Sequence, residues 1–332
     1  MARTLRFVEA LREGMRQEME RDETVFVMGE GVGPHGSCFK QTLGFYDQFG
    51  ADRCRDTPIS ELAISGAAVG AAMTGMRPIA DLMWIDFMTL ATDQIVNQAA
   101  KLRYMSNGQV KVPAVFRAST GQCRSNAAQH SGSWYSFFCN IPGLKVVVPS
   151  NPHDAKGLII SAIRDDDPVV YLEHKMLLNV TGEVPEESYA IPLGVAEIKR
   201  AGTDVTVVAT GYMVGLALKA AEMVQADGIS VEVIDPRTLM PYDEDTILAS
   251  VWKTGRIVVV DEGYKHCGFG SEIVAMVAEK ALDALDHQPC QVTPINTTIP
   301  FSPPMEGYVF PNPEKIARAI RSTMGMKEKV NG

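Results

Sequence analysis

Short, mainly apolar runs recur along this chain, and helical stretches separate them. Val25-Phe26-Val27-Met28-Gly29 is the first, followed by Ile79 to Leu82, Val112 to Phe116, Lys145 to Val148 and Val169 to Leu172. Between them lie segments with helical periodicity: residues 4–21, where Leu5, Val8, Leu11, Met15 and Met19 share a face, then Phe87 to Met105 and His153 to Arg164. Strands that are apolar on both faces and alternate with helices predict parallel sheets joined by crossover helices. The pattern pauses at NVTGEVPEESYAIPLG, rich in Pro, Gly and acids and without a helical or strand period. It then restarts, with strands over Asp204 to Ala209, Ser230 to Ile234, Arg256 to Asp261 and Gln291 to Ile295. Helices are expected over Met213 to Gln225, Asp243 to Trp252, Gly270 to Leu285 and Pro313 to Met324. The fold class is therefore α/β, with two domains, each a mainly parallel sheet flanked by helices. The expected boundaries are 1–178, a linker at 179–194, a second domain at 195–325 and a fraying Lys-rich tail at 326–332.

A length of 332 residues suits two domains. The formal charge of −9 and the lack of any Lys/Arg-rich stripe argue against a nucleic-acid partner. The apolar runs are too short to span a bilayer. The start, MARTLRFVEALREGM, has neither the apolar core of a signal peptide nor the composition of a transit peptide. These features predict a cytoplasmic protein, or a matrix protein if a leader has been removed. The six cysteines (38, 54, 123, 139, 267 and 290) form no CxxC pair and read as reduced, mostly buried thiols. The six histidines form no HExxH or paired face, so no protein-held transition metal is expected.

Four segments carry the chemistry. In Asp56-Thr57-Pro58-Ile59-Ser60-Glu61 an acid arrives just before SGAAVGAAMTG (65–75), a helix with so little bulk that a backbone or flat ligand can come close. Alone, Glu61 reads as an acid favouring a helix dipole. Trp84-Ile85-Asp86-Phe87, Ala127-Ala128-Gln129-His130-Ser131 and Ile141-Pro142-Gly143-Leu144-Lys145-Val146-Val147-Val148-Pro149 follow in order. Alone, Phe87 reads as a core residue heading a helix, and His130 as a satisfied polar residue in an exposed loop. RDDDP (164–168) reads equally as a solvated turn. Gly268-Phe269-Gly270 reads as a helix start.

Together, in this order and spacing, DTPISE, DFMTLATDQIVNQAAKLRYM, AAQHS, IPGLKVVVPSNPHDAKGL and AIRDDDPVVYLEH resemble the β subunit of the thiamine-diphosphate-dependent E1 component of 2-oxo-acid and acetoin dehydrogenase complexes. The resemblance runs from about Leu5 to Ile320. It implies a transketolase-like pyrimidine-binding domain followed by a transketolase C-terminal-like domain. It makes Glu61 the acid bonded to N1′ of the cofactor's aminopyrimidine, Phe87 the ring stacked on that pyrimidine, and Ile59 a further cofactor contact. His130 becomes a proton-handling group beside the thiazolium and the substrate, a role suited to its ordinary pKa. It places a K⁺ in some members at positions matching Ala114, Ala162, Ile163, Asp165 and Asp167. The loop departs from the family at Gly132, where Gln is common.

The GDG…Asn motif that holds the diphosphate through Mg²⁺ is missing; Ala226-Asp227-Gly228 does not supply it. The resemblance then implies an α subunit that holds Mg²⁺ and the diphosphate, an α2β2 heterotetramer, and a lipoyl-bearing E2 acyltransferase as acceptor. The substrate is acetoin or a 2-oxo acid such as pyruvate, with RDDDPVVYLEHKMLL and GEVPEESYAIPLG nearest the acetoin dehydrogenase branch. Two other readings stand beside it. One is the carboxy-terminal half of a split transketolase-like enzyme transferring a ketol unit. The other is a non-catalytic scaffold, against which the joint presence of Glu61, Phe87 and His130 counts.

Overall fold

The computed structural model describes residues 2–122 and 125–326; Cys123 and 327–332, most of the expected tail, lie outside them. The chain forms two compact units. The first comprises Met1–Cys123, Gln129–Leu193 and Leu239–Pro241; the second comprises Arg124–Ala128, Gly194–Thr238 and Tyr242–Gly332.

In the first unit a seven-stranded sheet runs, edge to edge, Thr238–Met240, Lys145–Val147, Val169–His174, Val115–Thr120, Arg77–Trp84, Val25–Gly29 and Cys54–Asp56. From Lys145–Val147 to Cys54–Asp56 every pairing is parallel. The central strands are buried on both faces, which explains why their sequences lack alternation. The helices Phe7–Arg21 and Pro152–Arg164 pack together, and Gly14 is where they touch. A Cβ at Gly14 would lie 2.7 Å from Ile159 Cγ2 and 3.0 Å from the Lys156 carbonyl oxygen, so only glycine permits this approach.

The second unit holds a five-stranded sheet in the order Cys290–Val292, Ile257–Val260, Val205–Ala209, Val231–Asp235, Glu197–Arg200. Glu197–Arg200 pairs antiparallel, and the other pairs are parallel. Its core gathers Val207, Val233 and Val258 from the sheet with Met213, Ala217 and Ala220 from the helix Tyr212–Gln225. Ile316 and Ile320 of the helix Pro313–Thr323 complete it. Gly268-Phe269-Gly270 opens the helix Phe269–Lys280, and the buried Asp261 accepts the Gly270 amide at 3.0 Å.

Several local expectations shift. Residues 4–6 are not helical, because Ala2–Arg6 is a strand paired antiparallel with Thr181–Pro185. That pairing also gives a strand, and a place in the first unit, to part of the stretch read as an unstructured linker. In both segments a long-range ladder overrides a weak local pattern. The helix expected over Phe87 to Met105 is a 3₁₀ turn at Ile85–Ala91, a π-helix at Asp93–Ala99 and an α-helix at Ala100–Met105. Among the described cysteines Cys54 is buried, whereas Cys38 and Cys267 are exposed rather than buried as expected.

Candidate active site

A parallel sheet points all its carboxyl ends at one rim, and ligands of open α/β sheets bind there. In the first unit this rim is formed by Gly29, Asp56, Trp84, Thr120 and His174, the last residues of five strands. The segments singled out in the sequence leave from these ends.

Glu61 opens the helix Glu61–Met73, with Ser60 preceding it as the cap residue, and is 8% exposed. The helix packs against Arg77–Trp84 and the helical stretch 85–99. Gly66 is the point at which Gln94 comes near, 3.4 Å from where a Cβ would stand, while Gly70 has nothing within 4 Å. Leu62 and Met73 of this helix are exposed, as are Ile59 before it and Leu90 beyond. Small residues occupy both faces of this helix: Ser65, Ala68 and Ala72 are buried, and Ala63, Ala67 and Gly70 are exposed. Near Glu61 the hydroxyls of Thr57 and Ser65 are buried without a hydrogen-bond partner. Glu30, just beyond the strand Val25–Gly29, has its pKa raised by burial and then by the nearby charges of Glu61, Asp56 and Asp81. Acids are crowded along this part of the rim.

Phe87 and His130 are brought together. Their ring centroids lie 5.3 Å apart at 87°, and the Trp84 ring meets His130 at 4.9 Å and 83°. Such edge-to-face pairs are favourable and fix orientation. Lys175 follows the strand Val169–His174, donates to the His130 carbonyl and sits 4.6 Å from the Trp84 ring centroid. The loop expected to be exposed is so only in part: Gln129 is exposed, but Ser131 and Gly132 are buried. Their backbone is pinned. The Gly132 carbonyl accepts from the Gly121 amide at 2.8 Å and the Thr120 hydroxyl at 2.9 Å, and the Gly132 amide donates to Asp86 Oδ2 at 3.2 Å.

At Gly132 the packing leaves no room for a side chain. A Cβ there would collide with Trp134 Nε1 and lie 2.6 Å from Asp86 Oδ1. The Trp134 side chain donates to Asp86, whose carboxyl is raised by burial and lowered in part by the Gly132 amide and Lys175.

Beneath the rim lies a network that the sequence reading missed. Arg117, 1% exposed, donates to Asp81 and binds both oxygens of Glu173, at 2.8 and 2.7 Å. Gln41 donates to Glu173 at 3.2 Å. Burial opposes the Arg117 charge, but Asp81 and Glu173 outweigh it and hold its pKa above the ordinary value. The second Asp81 oxygen accepts the Met83 amide at 2.9 Å, and Met83 has a left-handed φ of 59°. The register with the neighbouring strand shifts at that point, between Asp81 and Trp84, just before the chain delivers Trp84 and Phe87 to His130. The available signal was a charged residue, Asp81, Arg117 or Glu173, in the interior of each of three mainly apolar strands. Asp81 and Arg117 are direct register partners.

The five residues matched to a cation site present a different picture. The Ile163 and Asp165 carbonyls each accept from Arg77 at 2.9 Å, and the Ala114 carbonyl accepts the Val169 amide at 3.0 Å. The Asp165 carboxylate binds Lys145, and that of Asp167 pairs with Arg103. The cation facing the Ile163 and Asp165 carbonyls is the Arg77 guanidinium. Among the described residues no group of three or more His, Cys, Asp or Glu side chains is placed to hold a metal. Among them, too, no helix is long and apolar enough to cross a membrane.

The pyrimidine-binding domain of transketolase matches residues 3–181, and the transketolase C-terminal domain matches 194–316. The chain is 49% identical to the beta subunit of acetoin:2,6-dichlorophenolindophenol oxidoreductase from Cupriavidus necator, over 98% of each chain. It is 45% identical to the subunit of the same name from Bacillus subtilis, again over 98% of each. The 2-oxoisovalerate dehydrogenase subunit beta of Bacillus subtilis is 45% identical, over 95% of this chain and 97% of that one. A solved split-gene transketolase, an inactive beta4 tetramer, superposes with a TM-score of 0.80 at 22% identity, over 96% of this chain and 98% of that one. At that identity the likeness speaks for the fold.

Proposed function

Because this chain belongs to the transketolase-like β subunits of the E1 components of acetoin and 2-oxo-acid dehydrogenase complexes, a family that uses thiamine diphosphate, we propose that it forms one half of a divided active site. With an α subunit, in an α2β2 heterotetramer, it cleaves acetoin or a 2-oxo acid and passes the acyl group to a lipoyl-bearing E2. Thiamine diphosphate supplies a carbon nucleophile and an electron sink, chemistry that amino-acid side chains lack. This chain would hold the pyrimidine half. Glu61, buried at a helix start, with the partnerless hydroxyls of Thr57 before it and Ser65 after it in the chain, would share a proton at N1′. Phe87 would lie against the pyrimidine ring, with Ile59 as a further contact from the exposed turn before Glu61. His130, braced by Trp84, Phe87 and Lys175, would move a proton at the substrate.

The diphosphate and its Mg²⁺ fall to the α subunit in this reading. The single observation supporting it is the meeting of the Phe87 and His130 rings at the sheet rim that the Glu61 helix also leaves. The exposed apolar strip of Ile59, Leu62, Met73 and Leu90 offers a surface for the partner. The relatives at 45–49% identity over nearly the full length favour this reading over a split transketolase, whose support is the fold likeness.

The test is reconstitution. The chain alone should bind thiamine diphosphate poorly and be inactive, and addition of its α partner should create both properties. Calorimetry with Mg²⁺ present that gives tight, stoichiometric binding to the isolated chain would contradict a divided site.

A further inference from the structure

On the basis of the reading of His130 just proposed, we infer that Asp81 is a positioning residue for the reaction. It holds a one-residue bulge that turns Trp84 onto the face of the sheet where it meets His130. The pairing register shows the inversion. Asp81 pairs with Arg117 and Trp84 with Ser119, so three steps along Arg77–Trp84 match two along Val115–Thr120. Paired residues of neighbouring strands point to one face, and residues two apart along a strand do so too. Arg117 and Ser119 therefore share a face, and Asp81 and Trp84 share it with them. In a regular strand an odd separation would set Asp81 and Trp84 on opposite faces. On the next strand Ser119 pairs with Glu173, which binds Arg117 on that same face. Without the extra residue Trp84 would point to the other side. Bulges beside sites re-aim side chains in this way.

What Trp84 meets on that face gives the inversion its consequence. Its ring centroid lies 4.9 Å from that of His130 and 5.2 Å from that of Phe39, with the Lys175 ammonium at 4.6 Å. Lys175 also donates to the His130 carbonyl, so Trp84 is the common neighbour of His130 and its tether. The bulge is held at Met83, whose φ of 59° is one that an L residue adopts only at a cost. Asp81 Oδ1 accepts the Met83 amide at 2.9 Å, a bond from side chain to the backbone two residues on that favours such a turn. Asp81 Oδ2 accepts from Arg117, which is itself bound to both oxygens of Glu173. One oxygen orients the carboxylate and the other holds the turn.

Two measurements test this. One is turnover by the enzyme assembled with its α partner, thiamine diphosphate and Mg²⁺, on whichever of acetoin, pyruvate and 2-oxoisovalerate the wild type accepts. The other is acrylamide quenching of the full chain alone. Quenching reports Trp84, which is 8% exposed, whereas the other two tryptophans, Trp134 and Trp252, are 40% and 58% exposed. The wild type should therefore show one shielded tryptophan. Asp81→Ala should unshield it and lower kcat on the order of 10²-fold, the typical cost of misplacing a reacting group by about 1 Å. Adding Met83→Gly should restore the shielding and recover about tenfold of the turnover, because glycine takes the left-handed conformation freely. Met83→Gly alone should match the wild type. Met83→Val leaves the Asp81–Arg117 pair untouched and should mimic Asp81→Ala, since a β-branched residue resists a positive φ. Wild-type turnover and quenching in Met83→Val would overturn the inference, whether or not Asp81→Ala folds. An Asp81→Ala loss that Met83→Gly does not relieve would show that Asp81 acts through Arg117 and not through the turn, which overturns it as well. An assembled wild type that turns over none of the three substrates would instead sink the E1 reading, and quenching of the chain alone would still decide the role of Asp81.

Discussion

Burial raises the pKa of Glu30, Asp86 and Glu173 in the first unit, whereas in the second unit Glu232 and Asp243 are held below the usual carboxylate range despite burial that works to raise them. The contrast lies in who the neighbours are. Around Glu232, Lys253, Ser250 and the Gly202 amide outweigh desolvation; around Asp243, the backbone amides of Thr246 and Ala196 do so. Each of those acids has a structural task, closing a loop or capping a helix, and is surrounded by donors suited to it. Around Glu30 the neighbours are other acids, and Glu173 must share Arg117 with Asp81. Acids crowded around Glu30 at one rim of one unit are an electrostatic feature of the kind that accompanies sites. Away from the rim the first unit also holds Glu9, Asp22 and Asp166 below the usual range, so the contrast is between the rim and the scaffold of the molecule.

The largest expected effect is at Glu61. If the rim is organised for chemistry, Glu61→Gln in the assembled enzyme should slow C2-proton exchange on bound thiamine diphosphate by roughly 10²–10⁴-fold, since an amide cannot share the N1′ proton. Assembly with the α subunit should survive. Exchange at the wild-type rate would remove the reason for treating the crowded acids as a site. Arg117 comes next. Arg117→Met leaves Asp81 and Glu173 buried without their shared cation, and removing one partner from such a group costs about 3–5 kcal/mol. The denaturant midpoint of the variant should fall accordingly. A loss below about 1 kcal/mol would mean that the carboxylates find other partners, and that the left-handed turn at Met83 is not held through this network.

Much of the fold was legible because buried parallel strands write themselves as continuous apolar runs. Val25–Gly29 matches its expected bounds, and Val205–Ala209 and Pro313–Thr323 do so to within a residue. What was not legible depended on distant partners. Ala2–Arg6 is a strand only because Thr181–Pro185 lies beside it, and Leu5 and Val8 fit a helical pattern equally well. At the site, Glu61 and Phe87 stand where a strand end leads into a helical stretch, which local spacing conveys. The burial of Ser131 and Gly132 was hidden, because small polar residues look alike whether solvated or pinned by Asp86 and Thr120. Gly132 was visible as a residue, but the Trp134 ring and the Asp86 carboxylate that crowd it emerge only in three dimensions.

The smallest expected effects test the comparison most directly, because its two sides predict opposite signs with pH. Asp243 caps the helix Glu244–Thr254, its oxygens accepting the Thr246 amide at 3.0 Å and the Ala196 amide at 3.0 Å. Its pKa is depressed in the folded state, so its contribution is present above the unfolded value and lost as pH falls through the folded one. Asp243→Ala should therefore cost about 1 kcal/mol at neutral pH, as lost N-caps typically do, and progressively less in acid. Glu30 runs the other way. Its folded pKa lies above the unfolded one, so the wild type loses stability as pH rises from the ordinary carboxylate range through the folded value. Glu30→Gln removes that loss and should raise the melting temperature slightly at neutral pH, with the gain vanishing in acid. Melting curves of both variants across pH 3 to 7 decide the matter. Parallel pH trends would show that the acids of the two units are held alike and that the contrast between rim and scaffold does not hold.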